Sequence, residues 1–473
     1  MALWPTIKIL IALGLVGLAL WASDRRFCLV GRFLSEKRSA LDLAVVRIVI
    51  FGLLVGSQPH REFLAYANLD RVLLAPPFPL GHLMRFLLLS AGLANLAYGL
   101  MWIGGLCAAA GLFYRWTAPV ATLAGLYLYT LPQLWGSVEH KNMHILTFAA
   151  ILCLSPAADA FSLDKWRNKG QPPQPPLQRS LRYGLPVTAM IAIIALAYLF
   201  PGLWKVMNLG TAWFSAENMR RQAIQVLLQG PPTALQLWAI RQTTLLWLGS
   251  FFAIGFEVGF LFLVLSKKTR PLAVLAGLLF HSMTLLIMGI SFVALMLAYV
   301  VFVDWTALVQ RMGWVREEPS PECRRDPGTA LRRGSAALVS AIFLMGVAHK
   351  VGAWPVACYP AFDAPPPASA RVVEIEVTGS DGQRTTDDLT FDRSLGRIYG
   401  DNHWREMASL DKYGRMAPAR ARALIALWRK AHGVQQQVTV EFYDETLAFD
   451  DTQTVNPDDL RVAQRRYVGT LTY

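Results

Sequence analysis

Long apolar segments, separated by short polar ones, occupy the first three quarters of the chain. A membrane core about 30 Å thick needs about 20 helical residues for each crossing. The segments that approach this length are residues 4–22, 41–57, 84–113, 117–137, 143–160, 184–203, 243–266, 271–289, 291–308 and 335–352. The pattern predicts an all-α polytopic membrane protein with about ten transmembrane helices.

The hydrophobic pattern changes near residue 354. Residues 371–379 alternate between apolar and polar side chains, and residues 418–432 have apolar side chains at helical spacing before Gly433. Two later segments, 437–449 and 466–473, are also typical of strands. The sequence therefore predicts four regions: an N-terminal membrane anchor at 1–23, a membrane domain at 40–310, a last transmembrane helix at 335–352, and a small α+β domain at 354–473 whose linker is 365–367.

Composition agrees with a membrane protein. Of the 473 residues, 54% are hydrophobic and 16% are charged, whereas soluble domains have about 25% charged residues. This excludes a disordered chain, a collagen-like chain and a single soluble domain. The formal net charge is +13. It divides into −3 for residues 354–473, which hold 14 basic and 17 acidic residues, and +16 for the rest. No nucleic-acid partner is needed to explain it.

The basic residues predict an orientation. Twenty of them lie in every second loop between the predicted spans, and seven lie in the alternate loops. Because basic loops stay in the cytoplasm, the N-terminus and the C-terminal domain are expected outside. The first span could instead be a signal peptide. We favour an uncleaved anchor because no small-x-small cleavage site is clear near its end and five basic residues follow it.

Ionisable side chains at membrane depth are costly, so each is a candidate for function. Arg47 could anchor a quinone or a carboxylate, or it could pair with Glu257, and we favour the pairing. Glu257 is expected to be buried and either paired or protonated. Lys205 could be an interface anchor beside Trp204, or a base in an apolar site.

Histidines are the other candidates. His140 and His144 are four residues apart and share a helix face, a spacing that can bind a metal. No Asp or Cys lies near them in the sequence, so a pair that handles protons or forms hydrogen bonds is favoured and no metal is predicted. His281 is either a buried structural histidine or a catalytic one. The five cysteines have neither metal-site spacing nor the pattern of a disulfide framework.

Four segments then occur in an order that resembles a known family. They are LDLAVVRIVIFGLLVG, HKNMHILTFAAILCLSPAADAFSLD, LAYLFPGLWKVMNLGTAW and FEVGFLFLVLSKKTRPLAVLAGLLFHSMTLLIMGISF. Together they resemble the HTTM (horizontally transferred transmembrane) domain that is shared with vitamin K-dependent γ-carboxylases. WPVACYPAF at 354–362 is similar to the segment where bacterial members leave the last span. The resemblance implies a bacterial inner-membrane protein.

The resemblance also implies a chemistry. The carboxylases use a lysine to deprotonate reduced vitamin K, and that lysine matches Lys205. The family's histidines match the region of His140 and His144, with the register open, and His281. Its arginine and acidic residue match Arg47 and Glu257. Trp204 replaces a second basic residue, and we count it with Arg47 and Glu257 as a candidate for cofactor binding.

Two functions stay open at this point. The first is an enzyme that binds a reduced quinone and uses Lys205 as base, with the histidines assisting. The second is a non-enzymatic membrane protein that binds a lipid, a quinone or an exported peptide or protein in the same cavity. A transporter is less favoured because no internal repeat is evident. If the first function is correct, Lys205, the histidines and Arg47 should line one cavity.

Overall fold

The computed structural model describes residues 3–79, 83, 89–135, 138, 140–167, 177–227, 232–314, 327–359, 362, 369–380, 382–388, 417–448 and 461–473. The predicted linker at 365–367 lies outside these residues, as do Arg85 and Cys323. The polar aromatic residues His403 and Trp404 of the C-terminal domain are outside them too.

Most of the described chain is helical. The α-helices are α1 (Leu3–Phe27), α2 (Leu29–Leu34), α3 (Ala40–Gly56), α4 (His60–Ala67), α5 (Ala91–Ala110), α6 (Tyr114–Thr130), α7 (Met143–Cys153), α8 (Leu163–Arg167), α9 (Leu181–Leu209), α10 (Ala216–Leu227), α11 (Ala234–Arg241), α12 (Thr243–Leu265), α13 (Arg270–Met288), α14 (Val293–Ala298), α15 (Trp305–Arg311), α16 (Thr329–Val347) and α17 (Pro418–His432). Short 3₁₀ turns cover Arg71–Leu73, Pro132–Leu134, His140–Asn142, Gly210–Phe214 and Tyr299–Phe302.

The predicted count of about ten spans is not confirmed by the length and composition of the described helices. In the described part, six helices are long and apolar enough, or up to eight if the bent pairs α3–α4 and α14–α15 each count as one span. The predicted span at 143–160 holds only the 11-residue α7. The predicted span at 291–308 bends by 70°, because Asp304 ends one helix and caps the next by accepting the Ala307 N–H. Apolar composition alone does not show where a helix stops.

A buried polar network joins several helix starts at one end of the bundle. Glu36 accepts hydrogen bonds from Arg38 at 2.7 Å and from Arg270 at 3.0 Å. Burial raises the pKa of Glu36, but these guanidinium groups outweigh it and the pKa lies below its usual value. Nearby, the Asp42 carboxylate accepts from the backbone N–H and the hydroxyl of Thr306. The start of α3 is thereby tied to the starts of α13 and α15.

The C-terminal domain is an antiparallel sheet with one helix. Its strands are β3 (Ser369–Gly379), β4 (Arg384–Asp388), β5 (Val438–Ala448) and β6 (Arg461–Thr472), in the order β4-β3-β5-β6, and α17 accompanies them. The three strands and the helix predicted here are confirmed, whereas β4 was not predicted. Because RTTDD has no apolar side chain to alternate, it carries no strand pattern.

The chain that leaves α16 crosses the bundle before it reaches this sheet. The short strands β1 (Phe78–Pro79) and β2 (Ala353–Trp354) pair in parallel. Trp354 is fully buried and donates its indole N–H to Thr130 Oγ1 at 2.8 Å. A few residues later, Cys358 packs into an apolar cluster with residues of α1 and α9. We call residues 348–359, with Phe362, the crossing segment, and these contacts make it part of the membrane bundle.

Candidate functional site

Lys205 and Glu257 form a buried ion pair between α9 and α12. The Lys205 Nζ lies 2.5 Å from the Glu257 Oε1, and each residue is only 4% exposed. On its other side, the ammonium lies 4.8 Å from the centre of the Trp213 ring, within cation–π range. The helices can approach because residue 202 is a glycine: a Cβ there would lie 2.9 Å from the Glu257 Cβ. Gly202 and Lys205, three residues apart on α9, thus both take part in the contact with Glu257.

An apolar cavity of about 160 Å³ opens beside Lys205. A cavity of about 150 Å³ is enough to bind benzene. The walls come mainly from α10, α12 and α13, with the 3₁₀ turn before α10 and Phe362 of the crossing segment. The lining residues are Lys205, Trp213, Met219, Gln222, Ala223, Leu245, Leu246, Gly249, Phe252, Ala253, Phe280, Met283, Thr284, Ile287, Met288 and Phe362. Such a site suits a flat apolar ring that presents a polar group to Lys205.

A second buried polar group surrounds Tyr198. Its hydroxyl is hydrogen-bonded to His281 Nε2 at 2.5 Å and to the Tyr299 hydroxyl at 2.5 Å. Tyr198 lies on α9, two helical turns before Lys205, and it is close enough to Glu257 to interact electrostatically. Within the described residues, His281 Nδ1 has no hydrogen-bond partner. The Tyr198 hydroxyl thus connects the environment of the ion pair with His281.

His140 and His144 adjoin this second group. Both are buried, and none of their ring nitrogens makes a hydrogen bond of ordinary geometry within the described part of the chain. The ring of Tyr359, in the crossing segment, lies 5.6 Å from that of His140. His144 is near enough to His281 to affect it electrostatically. The three predicted histidines are therefore neighbours, but none of them lines the cavity beside Lys205.

Arg47 and Trp204 lie elsewhere. Arg47 is fully buried, and its guanidinium donates to four backbone carbonyls, of Ala109, Ala157, Ala160 and Phe161, at 2.5–3.2 Å. The predicted pairing of Arg47 with Glu257 is wrong, since Glu257 pairs with Lys205. Trp204 donates its indole N–H to the Gly346 carbonyl on α16 at 2.8 Å. Neither residue lines the cavity. The expectation that Lys205, the histidines and Arg47 line one cavity is therefore wrong, because Lys205 is the only one of these residues in its lining.

Comparison with known proteins gives the family of this chain. The profile of the HTTM domain matches residues 36–306, which is more than half of the 473 residues. The chain belongs to the HTTM domain family. Neither the comparison with curated proteins nor the comparison with solved structures finds a match. The HTTM region contains the ion pair, the cavity's helices and all three histidines. Its two ends meet in the polar network, where Thr306 bonds to Asp42.

Sequence reasoning did not single out two tyrosines that lie beside the histidines, Tyr198 and Tyr299, which are both buried. The sequence does place Trp213 near Lys205, and the structure brings its ring within 4.8 Å of the ammonium. A signal existed for Tyr198, because it lies seven residues before Lys205 and so on the same face of a continuous helix. Tyr299 had none, since it lies in a 3₁₀ turn inside a broken span. Among the described residues, no group of three His, Cys, Asp or Glu side chains could hold a metal ion.

We expect Arg47→Met to destabilise the HTTM domain by about 3 kcal/mol or more. The substitution leaves four backbone carbonyls without their donor, two of them in fully buried contacts, at about 1–3 kcal/mol for each buried unsatisfied group. It also removes a cation from the C-terminal end of α5. Thermal unfolding in detergent measures the change. Arg61→Met, on the exposed side of α4, is the matched control. Equal unfolding temperatures for the two variants would contradict the role given to Arg47.

Proposed function

We propose that this HTTM protein binds a reduced quinone in the cavity and that Lys205 acts there as a base. The observation that supports the proposal is a buried lysine in the wall of an otherwise mostly apolar cavity. A lysine held in such a place is suited to take up and release protons. Lys205 and Trp213 would hold the ring end of the ligand. When bound, a reduced quinone supplies acidic hydroxyl groups and two electrons.

The ion pair itself provides a way to make the base. The Lys205 Nζ and the Glu257 Oε1 are 2.5 Å apart and share a hydrogen bond. Transfer of its proton from the nitrogen to the oxygen turns two ions into an amine and a carboxylic acid. The net charge of the site does not change, and a buried site favours groups without charge. The free amine can then accept a proton from a hydroxyl group in the cavity. Glu257 therefore acts on Lys205 rather than on the ligand, and it is a positioning residue in this proposal.

The histidines have a supporting part in the proposal. His140, His144 and His281 lie outside the lining of the cavity, and each keeps a ring nitrogen without a hydrogen bond of ordinary geometry in the described part of the chain. Such groups can hold a proton or a buried water. The modification of a substrate that would accompany quinol oxidation belongs to the same proposal, and an exported peptide or protein could reach the site past the crossing segment.

The second candidate function, ligand binding without turnover, has one observation in its favour. Lys205 is fully paired with Glu257, and a paired lysine at a membrane site can be purely structural. A protein of this kind would retain its lipid or quinone through purification but would not oxidise it with oxygen. Turnover therefore separates the two candidates, whereas binding tests the cavity that they share.

The cavity is tested by a matched pair of substitutions on α12. Gly249 lines the cavity and Gly255 faces outward on the same helix, and a Cβ at either position meets no atom within 4 Å. Gly249→Phe places a ring in the ligand space, so we expect it to remove quinones that copurify with the native protein. Gly255→Phe is expected to retain them. Mass spectrometry of the extracted lipids measures both, and equal retention would reject this cavity as the site.

Localisation and orientation are also proposed. We propose that the protein resides in a bacterial inner membrane, with the N-terminus and the domain of β3–β6 on the outer side. The basic loops support this orientation, because they hold twenty basic residues, among them the exposed Arg32, Lys268 and Arg333. A domain on the outer side would bring the crossing segment over the cavity from that face.

A further inference from the structure

A second cavity lies against a different face of α9 from Tyr198, the residue that contacts His281. It has a volume of about 300 Å³ and forms between α9, α12 and α16. Its lining is apolar except for one hydroxyl: Phe33, Ala192, Ala195, Leu196, Leu261, Val264, Leu265, Val339, Ser340 and Phe343. It shares no lining residue with the cavity beside Lys205. We call this second cavity the lipid groove.

Three basic residues follow or precede lining residues of the lipid groove by a few positions in the sequence. Arg32 precedes the lining residue Phe33, and Lys268 follows the lining residue Leu265 by three positions. On α16, Arg333 lies seven residues before Ser340 and therefore on the same face, about two turns away. All three basic residues are exposed. The elements that line the lipid groove thus also carry three exposed basic residues near its lining, and we call these three the cation cluster.

Two acidic residues of the described part of the chain lie close in the sequence to these basic residues or to their neighbours, and both are already engaged. Glu36 is held by Arg38 and Arg270 in the buried network. The Asp24 carboxylate accepts the backbone N–H groups of Val30 and Gly31. Within the described residues, neither carboxylate is left to pair with Arg32, Lys268 or Arg333, and these cations can bind a negatively charged group from outside the chain.

We propose that the lipid groove holds an acyl chain of an anionic phospholipid whose headgroup binds Arg32, Lys268 and Arg333. The bilayer supplies this molecule, and its apolar chain and charged headgroup match the two parts of the site. A zwitterionic phospholipid fits the groove but lacks the net charge that the cluster selects. Since α9 lines the groove and also carries Lys205, the bound lipid braces the helix that holds the base.

Lipid retention measured by native mass spectrometry tests this proposal. The protein is released from mixed micelles that contain equal amounts of phosphatidylglycerol and phosphatidylcholine. We expect the native protein to retain phosphatidylglycerol preferentially. The triple variant Arg32→Gln/Lys268→Gln/Arg333→Gln is expected to lose that preference by about tenfold or more, because each basic side chain contributes roughly fivefold near a membrane surface. Ala192→Phe, which fills the groove, is expected to reduce retention of the lipid.

The control triple is Arg61→Gln/Arg71→Gln/Arg241→Gln. It removes the same charge from exposed positions in the alternate loops, so it is expected to behave as the native protein does. Equal retention of the two phospholipids by the native protein overturns the proposal. The same holds if the two triple variants behave alike, or if folded Ala192→Phe retains lipid as before. None of these measurements depends on quinone binding or on turnover.

Discussion

Replacement of Lys205 by alanine is expected to abolish turnover of a reduced quinone with oxygen and also to destabilise the protein. A positioned general base contributes about 10²- to 10⁴-fold to a rate, so the rate should fall by that factor. Removing one partner of a buried ion pair leaves the other charge unpaired, at a cost of about 3–5 kcal/mol. Because Glu257 is only 4% exposed, this cost applies here.

The two effects of the Lys205 substitution can be separated. In Lys205→Met/Glu257→Gln, neither partner is left as an unpaired buried ion, so we expect most of the lost stability to return. Turnover should stay lost, because no amine faces the cavity. Purified variants are compared by thermal unfolding in detergent and by the rate of quinol oxidation.

Two results would end the enzyme proposal. One is unchanged turnover in a folded Lys205→Ala protein. The other is the lack of turnover by the native protein with every reduced quinone tested in the presence of oxygen. In the second case, quinone or lipid retained by the native protein and lost in Gly249→Phe would support the ligand-binding function instead.

The residues of the site were predictable, but their partners were not. Lys205 and Glu257 stand out because each interrupts an apolar segment, where a charge is costly. Their pairing crosses 52 residues of sequence and depends on how α9 packs against α12. Arg47 was assigned the wrong partner for a related reason. Its four acceptors are backbone carbonyls, which every residue has, so no side chain in the sequence marks them.

The fold was likewise predictable from the sequence only in part. The family and the helical membrane domain followed from ordered motifs and apolar periodicity, and the profile match at 36–306 confirms the family. The count of spans did not follow, because α7 ends after 11 residues and α15 starts at the cap of Asp304. Both features are set by tertiary contacts and capping. A hydrophobicity average over many residues does not detect where a helix ends or where the next one begins.

Gly184 is expected to be one of the most sensitive positions in the protein. It lies in the first turn of α9, where an added Cβ would lie 1.8 Å from the backbone carbonyl oxygen of Glu36. That atom cannot move away easily, because Glu36 is held by Arg38 and Arg270. Gly184→Ala should therefore cost about 3 kcal/mol or more, at the upper end of what overpacking usually costs. It would also displace the helix that carries Lys205.

The control for Gly184→Ala is the same substitution in the middle of α3. A Cβ at Gly52 meets no atom within 4 Å, and alanine is favoured over glycine inside a helix by about 0.5–1 kcal/mol. The two variants should therefore change the unfolding temperature in opposite directions. If Gly184→Ala is as stable as Gly52→Ala, α9 does not pack against the Glu36 backbone as described. The position of Lys205 would then depend on the packing of α9 against α12 at Gly202 and not on the Glu36 backbone.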